Sequence, residues 1–482
     1  MHTTTWGAPL FVAICLAGCA APAFQQPAVS VPAAYREAVQ FAADGTTWKV
    51  GRATAGVATS AAQSGWWRAF NDPALDALVM EATTNNQDVA TAAARVVQAR
   101  AILGIAESDR AVQIGMDAGG QRVRLSPVEA LQPRGTPIAP LNTYSARLSA
   151  SYEVDLFGRV SAGVAAGRAD AGATAANYRV TLLSLQADVA QTYFRLRSLD
   201  AELATLQEAL RLRQEAVRVT QRRFDLGDIG EFDLVRSQTE LASARAEAIG
   251  LQRSRVGTSN ALALLLGKPA SSFEAPVHPL EQDASLPVIP TGLPSGLLER
   301  RPDIAAAQSV MEAANARIGV ARSAMFPALN LAAAGGGAGT SVADVFAWSS
   351  RSWLLGAALS APLFDGGRNR SNIARSEGAL DEAVAAYRQR VLVAFADVED
   401  NLAGLRILAA QSEQLEQAVT LARRSATLAQ NLYDAGRGSY LELLDAQRNL
   451  SVVERTAVQV KGERAMTTVA LIRALGGSWD GA

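Results

Sequence analysis

One stretch of this chain occurs twice, and it limits the fold more than any other feature. Phe224-Asp225-Leu226-Gly227-Asp228-Ile229-Gly230-Glu231-Phe232-Asp233-Leu234 lies between two long helical patterns. Tyr433-Asp434-Ala435-Gly436-Arg437-Gly438-Ser439-Tyr440-Leu441-Glu442-Leu443 lies between two more. Each opens with an aromatic residue and reaches glycine three residues later, the usual left-handed stop of a helix. A new amphipathic helix starts within a few residues, so each stretch is the turn of an αα-hairpin. Gly436 and Gly227 stand 209 positions apart, and so do Gly476 and Gly267, which close the second helix of each pair. The chain is a duplicated helical hairpin.

The duplication reaches further upstream. Leu103-Gly104-Ile105-Ala106 matches Ile318-Gly319-Val320-Ala321, and Asp88 matches Asp303, all at an offset of 215. Solenoid repeats are far shorter, so this is duplication on the scale of a domain. Within the first hairpin an apolar stripe steps by four and three through Leu185, Val189, Leu196, Leu199, Leu203, Leu206, Leu210, Val217 and Phe224. That average of about 3.5 residues is the coiled-coil period. The returning seam of Leu241, Ala244, Ala248, Leu251, Arg255, Thr258, Leu262 and Leu265 reappears 209 residues later as Leu450, Val453, Ala457, Val460, Arg464, Thr467, Leu471 and Ala474. A helix from Arg159 to Phe224 extends roughly 100 Å at about 1.5 Å per residue, a length suited to crossing a compartment. The seam arginines, Arg255 and Arg464, are expected to carry their heads out to water, with pairing to acids on a neighbouring helix as the alternative.

Before each hairpin the period changes to two. Tyr144, Ala146, Leu148, Ala150, Tyr152, Val154 and Leu156 alternate with Ser145, Arg147, Ser149, Ser151, Glu153 and Asp155. This is a strand with one apolar and one polar face. Trp353, Leu355, Ala357, Leu359, Ala361 and Leu363 form a second such face. Weaker strands are predicted around Val112 to Ala118 and Leu329 to Ala333. Gly335 to Gly339 lacks the Lys-Ser/Thr of a phosphate loop and is read as an outer loop. Four strands of about ten residues match tilted membrane-crossing β-structure.

Composition removes other classes. The 45 basic and 46 acidic residues balance, so nothing points to nucleic acid. His2 and His278 are the only histidines, and no catalytic or metal cluster emerges from the sequence. Cys15 and Cys19 are the only cysteines. The short apolar run Leu10 to Leu16 leads into Leu16-Ala17-Gly18-Cys19, which resembles a bacterial lipobox. Cys19 is then the expected lipidation site, and Ala20 brings no aspartate that would argue for inner-membrane retention. A plain secretory peptide is the alternative.

The expected divisions are a lipoprotein signal peptide at 1–18, a lipid-anchored tether at 19–64 and a first repeat at 65–267. A Pro-rich extended crossover at 268–294 and a second repeat at 295–482 follow. Predicted strands cover about 111–123, 143–157, 327–336 and 353–364, and predicted hairpins about 159–266 and 368–476. Four strands cannot seal their own edges in lipid. Two copies give a small filled barrel, whereas three give twelve strands and room for a lumen. The fold class is therefore an α+β membrane protein, with coiled-coil hairpins and four transmembrane strands per chain, assembled as a trimeric conduit.

Leu286-Pro287-Val288-Ile289-Pro290-Thr291-Gly292-Leu293-Pro294-Ser295 and Leu297-Leu298-Glu299-Arg300-Arg301-Pro302-Asp303-Ile304 resemble the signature of TolC-type outer-membrane factors. The similarity is greatest to the NodT-like lipoprotein branch. Ala313 to Ala321, Phe326-Pro327, Trp67 to Leu75 and Tyr152 to Arg159 resemble the same family, so nearly the whole mature chain is covered. The resemblance implies a homotrimer with a twelve-stranded outer-membrane barrel over a twelve-helix periplasmic α-barrel. It implies docking to a periplasmic adaptor and an inner-membrane resistance-nodulation-division transporter, and a passive duct with no catalytic site and no cofactor beyond the lipid on Cys19. It places gate carboxylates at Glu442 and Asp445, with Asp233 and Arg236 as their first-half counterparts, and adaptor contacts at Gly227, Gly230, Gly436 and Gly438. Ser439-Tyr440-Leu441-Glu442 is also a capping box, so Glu442 is equally a structural cap. The alternatives are a protein-secretion duct working with an ABC transporter and a pore-less, lipid-anchored coiled-coil scaffold.

Overall fold

The computed structural model describes residues 23–29, 31–37, 65–133, 135, 137–280, 286, 287, 289 and 294–477. Cys19 and the signal peptide at 1–18 lie outside the described residues, as does most of the tether. The helices are α1 (Pro73–Asn85), α2 (Gln87–Ser108), α3 (Arg159–Asp225), α4 (Glu231–Leu265), α5 (Pro294–Arg300), α6 (Pro302–Ser323), α7 (Arg368–Asp434) and α8 (Tyr440–Ala474). The strands are β1 (Gln113–Val123), β2 (Leu141–Val154), β3 (Ala328–Gly339) and β4 (Arg351–Ser360).

The duplication holds to the residue. Helices α2 and α6 both have 22 residues, and their starts differ by 215. Helices α3 and α7 have 67 residues each, α4 and α8 have 35 each, and both pairs start 209 apart. The difference of six arises between the repeats' short and long helices. Positions 109–158 make 50 residues, and positions 324–367 make 44.

Contacts divide the chain into two units. The first contains 95–175, 306–388 and the described residues before 29. It is built on one antiparallel sheet in the order β1-β2-β3-β4. The register aligns Met116, Leu148, Gly335 and Trp353 in one row and Ile114, Ala150, Ala333 and Leu355 in the next. Tyr152, Leu331 and Ala357 continue that face. One step along each strand, Asp117, Arg147, Gly336 and Ser352 form a row on the opposite face. The apolar face crosses all four strands, and its large residues stay exposed: Ile114 76%, Trp353 80% and Leu355 74%.

The run Gly335 to Gly339 is part of β3, and the outer-loop expectation is corrected. Each of these residues has a partner on β2, from Leu148 to Tyr144. A Cβ on Gly336 would come 2.2 Å from the Ala146 carbonyl oxygen, and one on Gly337 would come 2.0 Å from that of Val345. Backbone approaches this close admit only glycine. The strand ends also differ from expectation. Asp155 leaves the sheet, and its carboxylate accepts from the Val160 and Ser161 amides at 3.0 and 2.8 Å to open α3. Asp365 does the same for α7 through Gly367 and Asn369. Ala361 and Leu363 likewise lie beyond β4.

The second unit contains 176–305, 389–477 and the described residues of 29–94. The predicted stripe is its core: Leu185, Val189, Leu196, Leu203 and Leu206 are buried on α3, with Val391, Val398 and Leu402 on α7 and Leu471 and Ile472 on α8. Toward the hairpin turn the core thins, and Phe224 is 38% exposed. At the other end Asp72 caps α1 by accepting from the Ala74 and Leu75 amides, with Pro73 in the first turn. The same carboxylate accepts from Tyr193 Oη and Arg197 Nη1, both at 2.7 Å, which fastens α1 to α3.

Arg255 does not reach for water. Its Nε donates to Asp200 Oδ1 at 2.5 Å and its Nη2 to the Ala275 carbonyl at 2.9 Å. Asp200 has a 1% exposed side chain, so an ion pair on the neighbouring helix overrides solvation of the guanidinium. Among the described residues of the crossover, Ala270–Ser272 form a 3₁₀ turn and Pro294 opens α5. Proline is tolerated there because the first helical N–H has no partner to lose. The described part of the tether is not free along its length. Tyr35 is 1% exposed, Arg36 N donates to Glu399 Oε1 at 2.7 Å, and Arg406 Nε donates to Glu37 Oε2 at 2.7 Å.

Candidate functional site

The hairpin turns carry most of the predicted site residues. Gly227 has φ 78° and Gly436 has φ 69°, the left-handed conformation expected after a helix. Asp228 N donates to the Arg223 carbonyl at 2.8 Å, and Arg437 N donates to the Leu432 carbonyl at 2.8 Å. Both turns are thus Schellman closures. Gly230 and Gly438 serve differently. Gly230 is the extended N-cap of α4. A Cβ on Gly438 would press within 3.1 Å of Leu432 Cβ.

The two turns are tied to each other. Arg223 Nη1 donates to Tyr433 Oη at 3.1 Å, with the guanidinium 5.4 Å from that ring's centroid. Tyr433 leans on Tyr440 at 5.9 Å. Burial, above all, pushes the Tyr440 phenol up, with Tyr433 and Asp233 adding to it while Ser237 and Arg236 oppose. Further along, Arg448 pairs with Glu240 and Arg455 with Glu247, linking α8 to α4 side by side. Sequence reasoning missed these cross-hairpin pairs. Their signal was the near-constant spacing: 208 positions separate both Arg448 from Glu240 and Arg455 from Glu247, close to the duplication offset.

The three carboxylates fall at the starts of the returning helices. Glu442 closes a complete capping box: its Oε2 accepts from the Ser439 amide at 2.9 Å, and Ser439 Oγ accepts from the Glu442 amide at 3.2 Å. Asp445 is one turn further along α8 with a 61% exposed side chain, and Arg448 Nη1 stays 3.8 Å from its Oδ1. Arg448 instead bonds Glu240, with Nε at 3.0 Å. Asp445 is therefore an acid left to solvent while its neighbours are occupied. Asp233 is half-buried in the first turn of α4, where a negative charge favours the helix N-terminus. Among the described residues no group of His, Cys, Asp and Glu is placed to hold a metal ion.

The family model for the outer membrane efflux protein matches residues 78–268 and 293–477, the two repeats just described. The chain belongs to the outer membrane efflux protein family. A toluene efflux pump outer membrane protein of Pseudomonas putida is 32% identical over 479 residues, covering 98% of each chain. The cation efflux system protein CusC of Escherichia coli is 30% identical over 474 residues, again covering 98% of each. Among solved structures, the outer-membrane channel OprN superposes with a TM-score of 0.85 at 26% identity, covering 96% of this chain and 99% of that one. These efflux proteins bear out the resemblance seen in the sequence. The chain is an outer-membrane channel of an efflux pump, not a protein-secretion duct or a pore-less scaffold.

Proposed function

We propose that three copies join edge to edge into a twelve-stranded barrel across the outer membrane, continued by twelve long helices, and that the enclosed tunnel is a passive exit duct without catalysis. The observation that carries this reading is the sheet. Among the described residues its outer strands β1 and β4 each have one unpaired edge, while one apolar face runs across all four strands. Lipid tolerates no open edge, so closure must come from other copies. The face with Asp117, Arg147 and Ser149 then lines the water-filled side. Exposed Val97, Ile102 and Ile105 on α2 and Leu421 and Leu428 on α7 supply apolar surface for the copies to share.

The lipid on Cys19 anchors each copy, and the turns around Gly227, Gly230, Gly436 and Gly438 receive a periplasmic adaptor that links the duct to an inner-membrane transporter. Relatives of near-equal identity are named for toluene and for cations, which suits a duct that accepts what its pump delivers. Three Asp445 carboxylates facing one axis form the anionic gate at the periplasmic end. The purified protein should conduct ions in a planar bilayer, and a protein that inserts without conducting would overturn the duct.

Two substitutions separate gate from cap. Asp445→Ala is expected to raise single-channel conductance roughly twofold and to weaken cation preference, because the ring charge is lost. Unchanged conductance and selectivity would remove Asp445 from the gate. Glu442→Ala is expected to cost about 1 kcal/mol of helix stability through the lost cap, read as a lower melting temperature, with conductance close to wild type.

A further inference from the structure

We propose that each seam between neighbouring copies binds the phosphorylated headgroup of an outer-leaflet lipid, held by Arg122 and Arg124 of one copy and Arg351 of the next. The inference rests on the closed ring proposed above. Strands β1 and β4, with 11 and 10 residues, are the two free edges of the sheet, and they run in opposite directions. Matched end to end, Arg351 at the start of β4 falls opposite the end of β1, Val123. Arg122 shares a face with Ile114 and Met116, and Arg351 shares a row with Gly337 and Ala146 on that same apolar face. Preserving the faces therefore sets Arg351 opposite Arg122 or beside Arg124.

Like charges directly opposite across a ladder repel. No acid relieves them: among the described residues none of these arginines has an ion pair. The nearby loop acids are used locally. Asp344 Oδ2 accepts from Ser341 N at 3.0 Å and Thr340 Oγ1 at 3.3 Å, and Glu129 Oε2 accepts from Ser126 N at 3.0 Å. Asp117 points to the opposite face. A cationic cluster closed at the outer rim of a lipid-facing surface calls for an anion, and arginine forks suit phosphate.

A groove on that face supplies the apolar half of the site. It encloses about 510 Å³ between Met116, Leu148, Gly335, Phe346 and Trp353, with Arg351 at its edge. Arg351 is braced by Trp348, 4.3 Å from its guanidinium. Gly335 leaves the floor flat, since a Cβ there would meet nothing within 4 Å, and this makes room for an acyl chain. Both Arg351 and the end of β1 border the loops 124–140 and 340–350, at the strand ends away from the helices, which is the outer leaflet of the proposed ring.

The test is native mass spectrometry of the detergent-purified protein with added bisphosphorylated lipid A, enzymatically dephosphorylated lipid A, or phosphatidylglycerol. The wild-type trimer is expected to retain bisphosphorylated lipid A in up to three copies and to hold the dephosphorylated form about tenfold more weakly. The variant R122Q/R124Q/R351Q should lose that preference, whereas Arg351→Lys, which keeps the charge, should retain most of it. A folded trimer with equal retention in wild type and triple variant overturns the site while leaving the ring standing. Equal retention of phosphatidylglycerol, lost in the same variant, overturns the assignment to an outer-leaflet lipid. A monomeric protein takes down ring and site together.

Discussion

Replacing Leu148 with arginine is expected to abolish assembly in the outer membrane, while the same change at the adjacent Ser149 leaves a conducting channel. Leu148 is central in the apolar row Met116-Leu148-Gly335-Trp353 and is 58% exposed within one chain. Facing lipid, an arginine near the bilayer midplane costs about 2–4 kcal/mol, incurred in every copy. Ser149 lies on the other face, where its Oγ donates to the Gly115 carbonyl at 3.5 Å and no bulky side chain opposes it. A guanidinium there would stay in the aqueous lumen. The measurement is the amount of folded protein in outer-membrane fractions, followed by conductance. Equal survival of the two variants would show that the apolar face does not meet lipid.

The second large effect is expected at Arg301, just before α6. Its Nε and Nη2 donate to the two carboxylate oxygens of Asp303 at 3.0 and 2.8 Å, and Nη1 donates to Asp397 Oδ2 at 3.1 Å and to the Ala474 carbonyl at 3.0 Å. One guanidinium therefore joins the start of α6, α7 and the last turn of α8. Burial alone would lower its affinity for the proton, but Asp303 and then Asp397 outweigh that and hold it above the ordinary range. Burial would likewise raise the Asp303 carboxyl, but the hydrogen bonds and charge of Arg301 hold it below the ordinary range. Arg301→Met should destabilise the protein by about 3–5 kcal/mol, because it strands a buried carboxylate. Adding Asp303→Asn should recover part of the loss, as seen in denaturant midpoints.

The sign of the pH effect follows from the depressed Asp303 value. Its stabilisation is complete above the unfolded carboxylate value, near pH 4, and is lost as pH falls through the lower folded value. The stability gap between wild type and Asp303→Asn should therefore be constant at neutral pH and shrink below about pH 4. A gap that persists undiminished into stronger acid would show that ionised Asp303 is not its source.

The long helices were legible because their period and offset are local properties of the chain. A heptad stripe from Leu185 to Leu206 reports burial wherever the partner helix lies, and Gly227 and Gly436 mark their own turns. The strand Tyr144 to Val154 was legible for the same reason, since alternation is read along one segment. Gly335 to Gly339 was misread because glycine has no side chain to alternate. Its strand character comes from the ladder with Tyr144 to Leu148 on β2, which no local pattern reveals. Arg255 was misplaced because its partner Asp200 lies 55 residues away on another helix. The capping role of Glu442 could be read from four residues, whereas the gate role of Asp445 depends on copies of the chain that meet only in the assembly.

Edge closure can be tested with cysteines, since the only native ones, Cys15 and Cys19, lie before the described residues. Gly119→Cys on β1 would be combined with cysteine at Ser352, Leu354 or Gly356 on β4, which covers the neighbouring registers on the polar face. Within one chain β2 and β3 separate these edges by about 14 Å, beyond the reach of a disulfide. Oxidation of intact outer membranes should yield a covalent species of three times the monomer mass for at least one pairing. Monomers alone at every register, from protein that is folded and membrane-inserted, would contradict the closed ring.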